Sequence, residues 1–375
     1  MVRYKGGYVK EPKIGIHKNI IVLDFRNLLP SIIITHNIDI TTFCKKCKKK
    51  VFVPGFKDRW FCQDKRAEIP KRLEKILKER WELKKKIKKL KGKEKEKTIK
   101  KAYQLKLAAN ITYGKFGYPK SSHYNVKIAE SITAFGRYYI KYVINQAEKN
   151  GLNVIYADTD SVFLTNSTIK NAKEFLKKIN KSLPGIMKLE YRGFYKKGLF
   201  VSKKGGKGAK KKYALIDNKG NILIRGFETR REDWCNLAKT TQEHVLKLVL
   251  EDKIKDAVEY VKTIIRKIKQ KKIKYSDLII NVQLSKPLSS YKAIGPHIKV
   301  AKEINAKQGD IIKFVIIKNG EKITDKAKYF KYSNINKIDE NYYITHQIIP
   351  AALRVLGDFG ITEKDFNVNN IKKYI

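Results

Sequence analysis

Acidic residues are scarce in this sequence. Its 375 residues include 36 Asp and Glu against 84 Lys and Arg, which gives a formal net charge of +48. Thermophilic surface networks enrich Lys and Glu together, whereas here the acidic residues do not keep pace. We therefore expect a polyanionic partner. The 21 Tyr and 16 Phe residues offer stacking surfaces for nucleic-acid bases.

Long hydrophobic runs are absent as well. No apolar stretch approaches the roughly 18 residues that span a bilayer, and no signal-peptide core follows Met1. We expect a soluble, cytoplasmic protein without a membrane partner. Hydrophobic residues still make up 42% of the chain, so we also expect folded modules with cores of their own.

Cysteine is rare, with four residues in the chain, and this excludes a disulfide scaffold. Cys44 and Cys47 form a CxxC pair, and Cys62 follows nearby. These are three of the four ligands of a zinc knuckle, for which His36 or Cys235 would have to supply the fourth. We do not expect zinc at Cys44, Cys47 and Cys62. A Cys47–Cys62 disulfide, if the source is hyperthermophilic, and inert thiols are the alternatives.

Apolar periodicity predicts helices and strands in separate blocks. The aliphatic run from Ile20 to Leu23 predicts a buried strand that ends at Asp24. Helical spacing predicts one helix over 71–91 and a second over 98–113, and the segment "KGKEKEK" breaks the pattern between them at Gly92. A further helix ends near Gly151, and two short strands then flank a polar turn. The pattern favours an α+β fold.

Three aspartates form the first candidate site. Asp158 and Asp160 are two positions apart, so in extended backbone both carboxylates would face one side. Two anions that close are tolerable when a divalent cation lies between them. Asp24 follows four aliphatic residues, and a buried unpaired charge would cost several kcal/mol there. The alternative reading of Asp24 is a helix N-cap.

A stripe of side chains on the second helix forms another candidate site. Lys106, Asn110 and Tyr113 occupy positions i, i+4 and i+7, which places an ammonium, an amide and an aromatic ring on one face. Such a face can hold a phosphate, a sugar and a base in order. Arg80 on the first helix offers a planar donor for the same phosphates.

Three segments resemble the motifs of family B DNA polymerases, in the family's order. "DFRNLLPSIII" resembles motif A, "KLAANITYGKFGY" resembles motif B and "YADTDS" resembles motif C. Later segments, "KKKYALID", "RGFETRREDW" and "YKAIGPHIKVAKEI", look like the palm and thumb of archaeal members. The resemblance implies a polymerase right hand with an antiparallel-sheet palm, two-helix fingers and a mostly helical thumb. The expected boundaries are 1–70 and 116–235 for the palm, 71–115 for the fingers and 236–375 for the thumb.

The resemblance also implies an activity, DNA-directed DNA synthesis at a primer 3′-hydroxyl with two Mg²⁺ ions. By the family's pattern, Asp24 and Asp158 bind the ions, Asp160 is the second carboxylate of motif C, and the carbonyl of Phe25 is an extra ligand. Leu29 stands where the family has a tyrosine under the ribose. We therefore expect weaker discrimination against ribonucleotides.

Further roles follow from the same likeness. Arg80, Lys106 and Asn110 match residues that grip the incoming dNTP, and Tyr113 belongs to the same nucleotide-binding stripe. The segment that tracks the primer-template DNA is matched by Lys211, Lys212 and Tyr213.

The family normally carries a 3′–5′ exonuclease before the palm, and this sequence begins just upstream of motif A. We expect a natural split polymerase of archaeal type, associated with the nucleoid, whose exonuclease lies on a separate N-terminal chain that forms a heterodimer with this one. An engineered fragment is the alternative. A sliding clamp is a further candidate partner, although the last residues, "NVNNIKKYI", show no clear clamp-binding peptide. The rival functions are an RNA-directed or RNA polymerase built on a palm, and a DNA-binding scaffold without activity.

Overall fold

A computed structural model describes residues 4–203 and 205–366 of the chain. The chain divides into two units, each with its own hydrophobic core. The first unit comprises Lys18–Phe194 and the N-terminal residues up to Pro12, and the second comprises Lys13–His17 and the residues from Tyr195 onward. None of the described helices is long and apolar enough to cross a bilayer.

The first unit packs helices against an antiparallel sheet. Its strands are β1 (Val9–Lys10), β2 (Gly15–Phe25), β3 (Lys50–Phe52), β4 (Trp60–Cys62), β5 (Asn153–Asp158), β6 (Ser161–Thr165) and β7 (Leu189–Ser202), of which β2 belongs to this unit from Lys18 and β7 up to Phe194. Its helices are α1 (Leu28–Thr35), α2 (Glu68–Ile87), α3 (Gly92–Gly117), α4 (Val126–Lys149) and α5 (Ile169–Ser182). Within the sheet the order is β1-β5-β6-β2-β7, and β3 and β4 form a separate hairpin.

The aliphatic run of β2 explains the centre of this unit. Ile20, Ile21 and Leu23 are completely buried, as a strand covered on both faces requires. Helix α1 begins directly after β2, and its Pro30 lies in the first turn, where no backbone donor is lost. The N-cap of α1 is Asn27 in a left-handed conformation. The alternative reading of Asp24 as the helix cap is therefore wrong.

Helices α2 and α3 form the expected hairpin, and the predicted break at Gly92 falls at their junction, but the second helix begins earlier than the predicted residue 98. Helix α3 begins at Gly92, so "KGKEKEK" supplies its first turns instead of separating the helices. Lys and Glu are good helix formers, and the reversal falls at Lys91, whose backbone is extended, and at Gly92 with φ +55°. The connection between the two helices therefore covers residues 88–91, and Gly92 opens the second helix.

A disulfide joins Cys62 on β4 to Cys47, which precedes β3 in the chain. This pairing was one of the alternatives left open by the sequence, and it uses two of the three thiols that a zinc site would need. His36 is buried against the ring of Phe135 and shares a 2.8 Å hydrogen bond with the hydroxyl of Tyr139. That imidazole is therefore part of the core, where its ring nitrogen already has a partner.

The second unit combines helices with two small antiparallel sheet regions. Its strands are the residues of β7 from Tyr195, β8 (Gly208–Ile216), β9 (Ile222–Arg225), β10 (Ile280–Gln283), β11 (Ile311–Ile316) and β12 (Ala327–Tyr329). Its helices are α6 (Asn236–Leu250), α7 (Ile254–Lys269), α8 (Pro296–Glu303), α9 (Ile323–Lys326), α10 (Glu340–Tyr342) and α11 (Ile349–Leu356). Strands β10, β11 and β12 form a three-stranded sheet in that order.

The predicted thumb region, 236–375, therefore contains both helices and the sheet β10–β12. The four predicted domain ranges stay predictions. The segment "NVNNIKKYI", considered above for clamp binding, lies outside the described residues.

Candidate active site

Three antiparallel strands bring motif A and motif C together in the first unit. In the pairing of β2 with β6, Asp24 lies opposite Ser161, and in the β5–β6 hairpin Asp158 also lies opposite Ser161. The backbone N–H of Phe25 donates to the carbonyl of Asp160 at 2.8 Å. The strand that ends in Asp24 therefore runs beside the turn that contains Asp160, although more than 130 residues of chain separate the two.

The turn between β5 and β6 separates the two motif C carboxylates. Thr159 has φ +56°, and the N–H of Asp160 donates to the carbonyl of Asp158 at 2.6 Å. The Thr159 hydroxyl donates to a carboxylate oxygen of Asp158 at 3.0 Å. The polar turn predicted at this place is therefore present, and the extended backbone assumed for the two carboxylates is wrong, because residues 159 and 160 form the turn.

Burial and mutual repulsion raise the pKa of Asp160 to about 6. The causes are, in order, burial of the carboxyl and the negative charge of Asp24, with a smaller contribution from Asp158. Burial also raises the pKa of Asp24, although its hydrogen bond and charge interaction with Arg192 act in the opposite direction. The two carboxyls are therefore close enough to oppose each other's ionisation.

Arg192 on β7 is a site residue that the sequence did not predict. Its two nitrogens Nη2 and Nε donate to the same carboxylate oxygen of Asp24, at 2.8 and 3.1 Å. The neighbouring Glu190 pairs instead with Arg26, whose guanidinium lies 4.9 Å from the centre of the Trp81 ring. The positive charge of Arg192 is thus bound to the carboxylate that motif A contributes.

A divalent cation fits this donor set in its chemistry. Within residues 4–203 and 205–366, no three His, Cys, Asp or Glu side chains are grouped so that they could hold a metal ion together. Two of the three candidate carboxylates make other contacts, because Asp24 accepts from Arg192 and Asp158 accepts from Thr159. Yet Asp24 and Asp160 are both half-buried, and the charge of Asp24 raises the pKa of Asp160, which is an arrangement that a cation between them would relieve.

A cavity of about 580 Å³ contains most of the predicted site residues. The residues that line it are Asp24, Phe25, Arg26, Asn27, Leu28, Leu29, Pro30, Arg80, Lys84, Lys106, Asn110, Tyr113, Thr159, Asp160, Glu190 and Arg192. Asp158 is not among them. The structure therefore joins motif A, the α2–α3 hairpin and one carboxylate of motif C around a single space.

The cationic side chains of this cavity crowd one another. Burial lowers the pKa of both Arg80 and Lys84, and the positive charge of Arg192 lowers each of them further. Nη1 of Arg80 donates to the side-chain oxygen of Asn27 at 2.8 Å, whereas its buried Nε has no hydrogen-bond partner in the described chain. A crowded group of cations with an unused donor favours the binding of an anion.

Lys84 was not predicted from the sequence, although its spacing of four residues from Arg80 on α2 places both on one face of the helix.

Two more predicted residues border the cavity. The hydroxyl of Tyr113 shares a 3.0 Å hydrogen bond with the hydroxyl of Tyr4, and burial together with this bond raises the pKa of Tyr113. Leu29 is half-buried. A Cβ atom added at Gly136 would lie 3.6 Å from a methyl group of Leu29, so the leucine packs closely on that glycine.

The predicted DNA-binding residues Lys211, Lys212 and Tyr213 lie on β8 in the second unit. Tyr213 stacks on Phe200 with ring centroids 5.5 Å apart. Lys211 has φ +64°, and its carbonyl lies only 2.0 Å from where a Cβ would stand at Gly226. Position 226 therefore requires glycine.

Known proteins resemble the whole described fold. The model of DNA polymerase family B matches residues 1–359. The DNA polymerase of Thermococcus sp. (strain 9oN-7) is 40% identical over 387 aligned positions, covering 99% of this chain and 49% of that protein. The DNA polymerase of Pyrococcus glycovorans is 39% identical with the same coverage.

A solved structure gives the same result. The family B DNA polymerase from the hyperthermophilic archaeon Pyrobaculum calidifontis matches with a TM-score of 0.70 and 30% identity, over 96% of this chain and 48% of that chain. The chain thus spans about half the length of the relatives that it matches. The expected mixture of helices and antiparallel sheet in a polymerase right hand is confirmed, and the chain belongs to DNA polymerase family B.

Proposed function

We propose that this chain carries out DNA-directed DNA synthesis, adding dNTPs to a primer 3′-hydroxyl on a DNA template. The observation that carries the proposal is the cavity lined both by the repelling carboxylates Asp24 and Asp160 and by the cations Arg80, Lys84 and Lys106. Nucleotidyl transfer needs anionic ligands beside the reacting phosphate and cationic donors along the rest of the triphosphate.

The α2–α3 hairpin would hold the nucleotide. Arg80, oriented by Asn27, presents a planar fork to phosphate oxygens, and Lys84 and Lys106 add point charges. As the primer oxygen forms its bond to the α-phosphorus, the bond to the β-phosphate oxygen breaks and charge develops on the pyrophosphate. Fixed cations stabilise that charge without reorganisation. Closure of the hairpin onto a correct base pair would improve their alignment.

Asp24 and Asp160, with Asp158 and the carbonyl of Phe25 in support, are the residues that would hold two Mg²⁺ ions. Bound there, the ions would lower the pKa of the primer hydroxyl and stabilise the leaving oxygen. Leu29 and Tyr113 border the cavity, and we assign them to the sugar and base of the nucleotide. Asn110 lies one turn from Lys106 on the same face and completes this contact.

The DNA duplex and further proteins are the proposed partners. The charge of +48 supports binding to the phosphate backbone, and β8 with Lys211, Lys212 and Tyr213 is the segment we assign to the primer-template. Because the chain spans about half the length of its relatives, we propose a separate chain that carries the exonuclease. A sliding clamp is a further partner to test.

Primer extension with Mg²⁺ tests the proposal, on DNA and on RNA templates, with the chain alone and with any co-purifying chain. We expect extension on DNA, and a loss on the order of 10³ for Asp24→Asn and Asp160→Asn. Asp256→Asn, an exposed aspartate on α7, is the matched control and should extend normally. Full activity of both Asp24→Asn and Asp160→Asn would reject this site, and a preference for RNA templates would reject the assignment to DNA.

A further inference from the structure

Arg192 uses the carboxylate oxygen that a cation would need. Both of its contacts, from Nη2 at 2.8 Å and from Nε at 3.1 Å, end on the same oxygen of Asp24. The Asp24 side chain is 19% exposed and the Arg192 side chain 47% exposed, so the guanidinium is the more accessible partner of the pair. A cation that binds this oxygen has to compete with two charge-assisted hydrogen bonds.

We propose that Arg192 is a built-in competitor of the divalent cation, which holds Asp24 until the cation takes its place. The inference rests on the function proposed above, because it takes the cation to bind Asp24. In this proposal Arg192, on β7, weakens the binding of the cation to the protein before nucleotide and DNA are bound.

The surroundings of Arg192 support an exchange of partners. Arg192 and Glu190 line the same cavity as Arg80 and Lys84, so a displaced guanidinium stays beside the cations that would meet nucleotide phosphates. Glu190 is hydrogen-bonded to Arg26, and its negative charge also acts on Arg192, so a carboxylate remains near the guanidinium when it leaves Asp24. Half-exposed ion pairs are weak enough to exchange, which fits a competitor better than a permanent structural bridge.

The arrangement also accounts for the asymmetry between the carboxylates. Asp24 carries its own counter-ion, whereas Asp160 relies on the more distant attraction of Arg192 and has its pKa raised to about 6, chiefly by burial and by the charge of Asp24. One cation between Asp24 and Asp160 would replace Arg192 as the counter-ion of Asp24 and would neutralise Asp160 as well. Arg192 therefore sets the concentration at which the cation enters.

Mn²⁺ titration of the full 375-residue chain, followed by the electron paramagnetic resonance signal of free Mn²⁺, tests this without nucleotide, DNA or turnover. We expect Arg192→Gln to bind Mn²⁺ about fivefold more tightly than wild type, since a half-exposed ion pair is lost. Arg192→Met should behave alike, because it keeps an apolar stem without the charge. Near-UV circular dichroism checks that each variant is folded.

Arg26→Gln is the matched control, because it removes the same charge from the same cavity without touching Asp24. We expect a change below about twofold. An equal gain for Arg26→Gln and Arg192→Gln would mean that general electrostatics is responsible, and this would overturn the proposal.

Asp24→Asn separates this inference from the proposed function. We expect it to weaken Mn²⁺ binding, and we expect Arg192→Gln to change nothing in that background. If Asp24→Asn binds Mn²⁺ as wild type does, the metal site and the function proposed on it both fail. If it binds weakly while Arg192→Gln alone matches wild type, only the competition is refuted.

Discussion

The ammonium of Lys212 lies 2.9 Å from a carboxylate oxygen of Glu228, whose side chain is only 3% exposed. Gln242 donates to the other oxygen of Glu228 at 2.7 Å. The guanidinium of Arg354 lies 3.7 Å from the oxygen that Lys212 contacts. Burial acts to raise the pKa of Glu228, but these hydrogen bonds and the charge of Lys212 outweigh it, so the pKa is lowered. Lys212 is therefore the counter-ion of a buried anion, beside the role at DNA that the sequence predicts for it.

Removing this ammonium should destabilise the protein. For Lys212→Met we expect a loss of about 3 kcal/mol in the free energy of unfolding, because Glu228 stays buried without its partner. Urea unfolding measures the loss. Lys210→Met, two positions away and exposed, should change it by less than about 0.5 kcal/mol. Adding Glu228→Gln to Lys212→Met should restore part of the lost free energy. If Lys212→Met and Lys210→Met were equally stable, Lys212 would not be the counter-ion of Glu228.

The two motif C aspartates should differ in their importance. Asp160 lines the cavity and feels the charge of Asp24, whereas Asp158 accepts from the Thr159 hydroxyl and lies outside the lining. We expect the rate of single-nucleotide incorporation to fall about tenfold more for Asp160→Asn than for Asp158→Asn. Rapid-quench kinetics at saturating dNTP gives the comparison. A larger effect at Asp158 would show that the turn rearranges around bound ligands.

The sequence predicted which segments meet, but not how their side chains are arranged. The sequence predicted that Asp24 and the "DTD" turn lie together, because each follows a short apolar strand and a half-buried carboxylate needs a counter-charge. The left-handed conformation of Thr159 was not predictable, because threonine rarely adopts it. The polar turn between the two apolar strands was predicted, but the local pattern does not show which of its residues takes the positive φ.

Arg192 was missed for a different reason. It stands on an ordinary strand, 168 residues from Asp24, and only the sheet brings the two together. Lys84, in contrast, was readable, because its spacing from Arg80 on an amphipathic helix puts both on one face. Helix α2 was predicted to within a few residues from its period of 3.6, whereas contacts made through the sheet needed the tertiary structure.

Leu29 should set the selectivity for the sugar. It lines the cavity with Tyr113 and packs on Gly136, which has no side chain to block a larger group. We expect Leu29→Tyr to increase the preference for dNTP over rNTP by about tenfold or more, since a flat ring would exclude a 2′-hydroxyl that leucine tolerates. Competing incorporation of dCTP and CTP measures it. Leu107→Tyr, an exposed leucine on α3, is the control. Wild-type discrimination already as strong as that of Leu29→Tyr would contradict this role.

His36 should make the stability of the protein depend on pH. Its side chain is 6% exposed, stacks on Phe135 with ring centroids 4.1 Å apart, and shares its Nε2 hydrogen bond with Tyr139. Burial lowers the pKa of His36 to about 4, against an unfolded value of about 6.5. Between these values the unfolded chain binds a proton that the folded protein does not. The stabilisation is therefore complete above pH 6.5 and is lost as the pH falls towards 4.

We expect His36→Gln to remove this dependence, because the amide can still bond to Tyr139 but does not titrate. Between pH 7.5 and 4.5 the wild-type free energy of unfolding should fall by about 2–3 kcal/mol more than that of the variant. Urea unfolding at several pH values gives the free energy of unfolding against pH for the wild type and for His36→Gln. Subtracting one curve from the other removes the contribution of the carboxylates, which both proteins share. His123→Gln, at a partly exposed histidine, should leave the wild-type curve unchanged. Parallel curves for wild type and His36→Gln would show that the buried imidazole accepts its proton without unfolding, and that its contact with Tyr139 survives the charge.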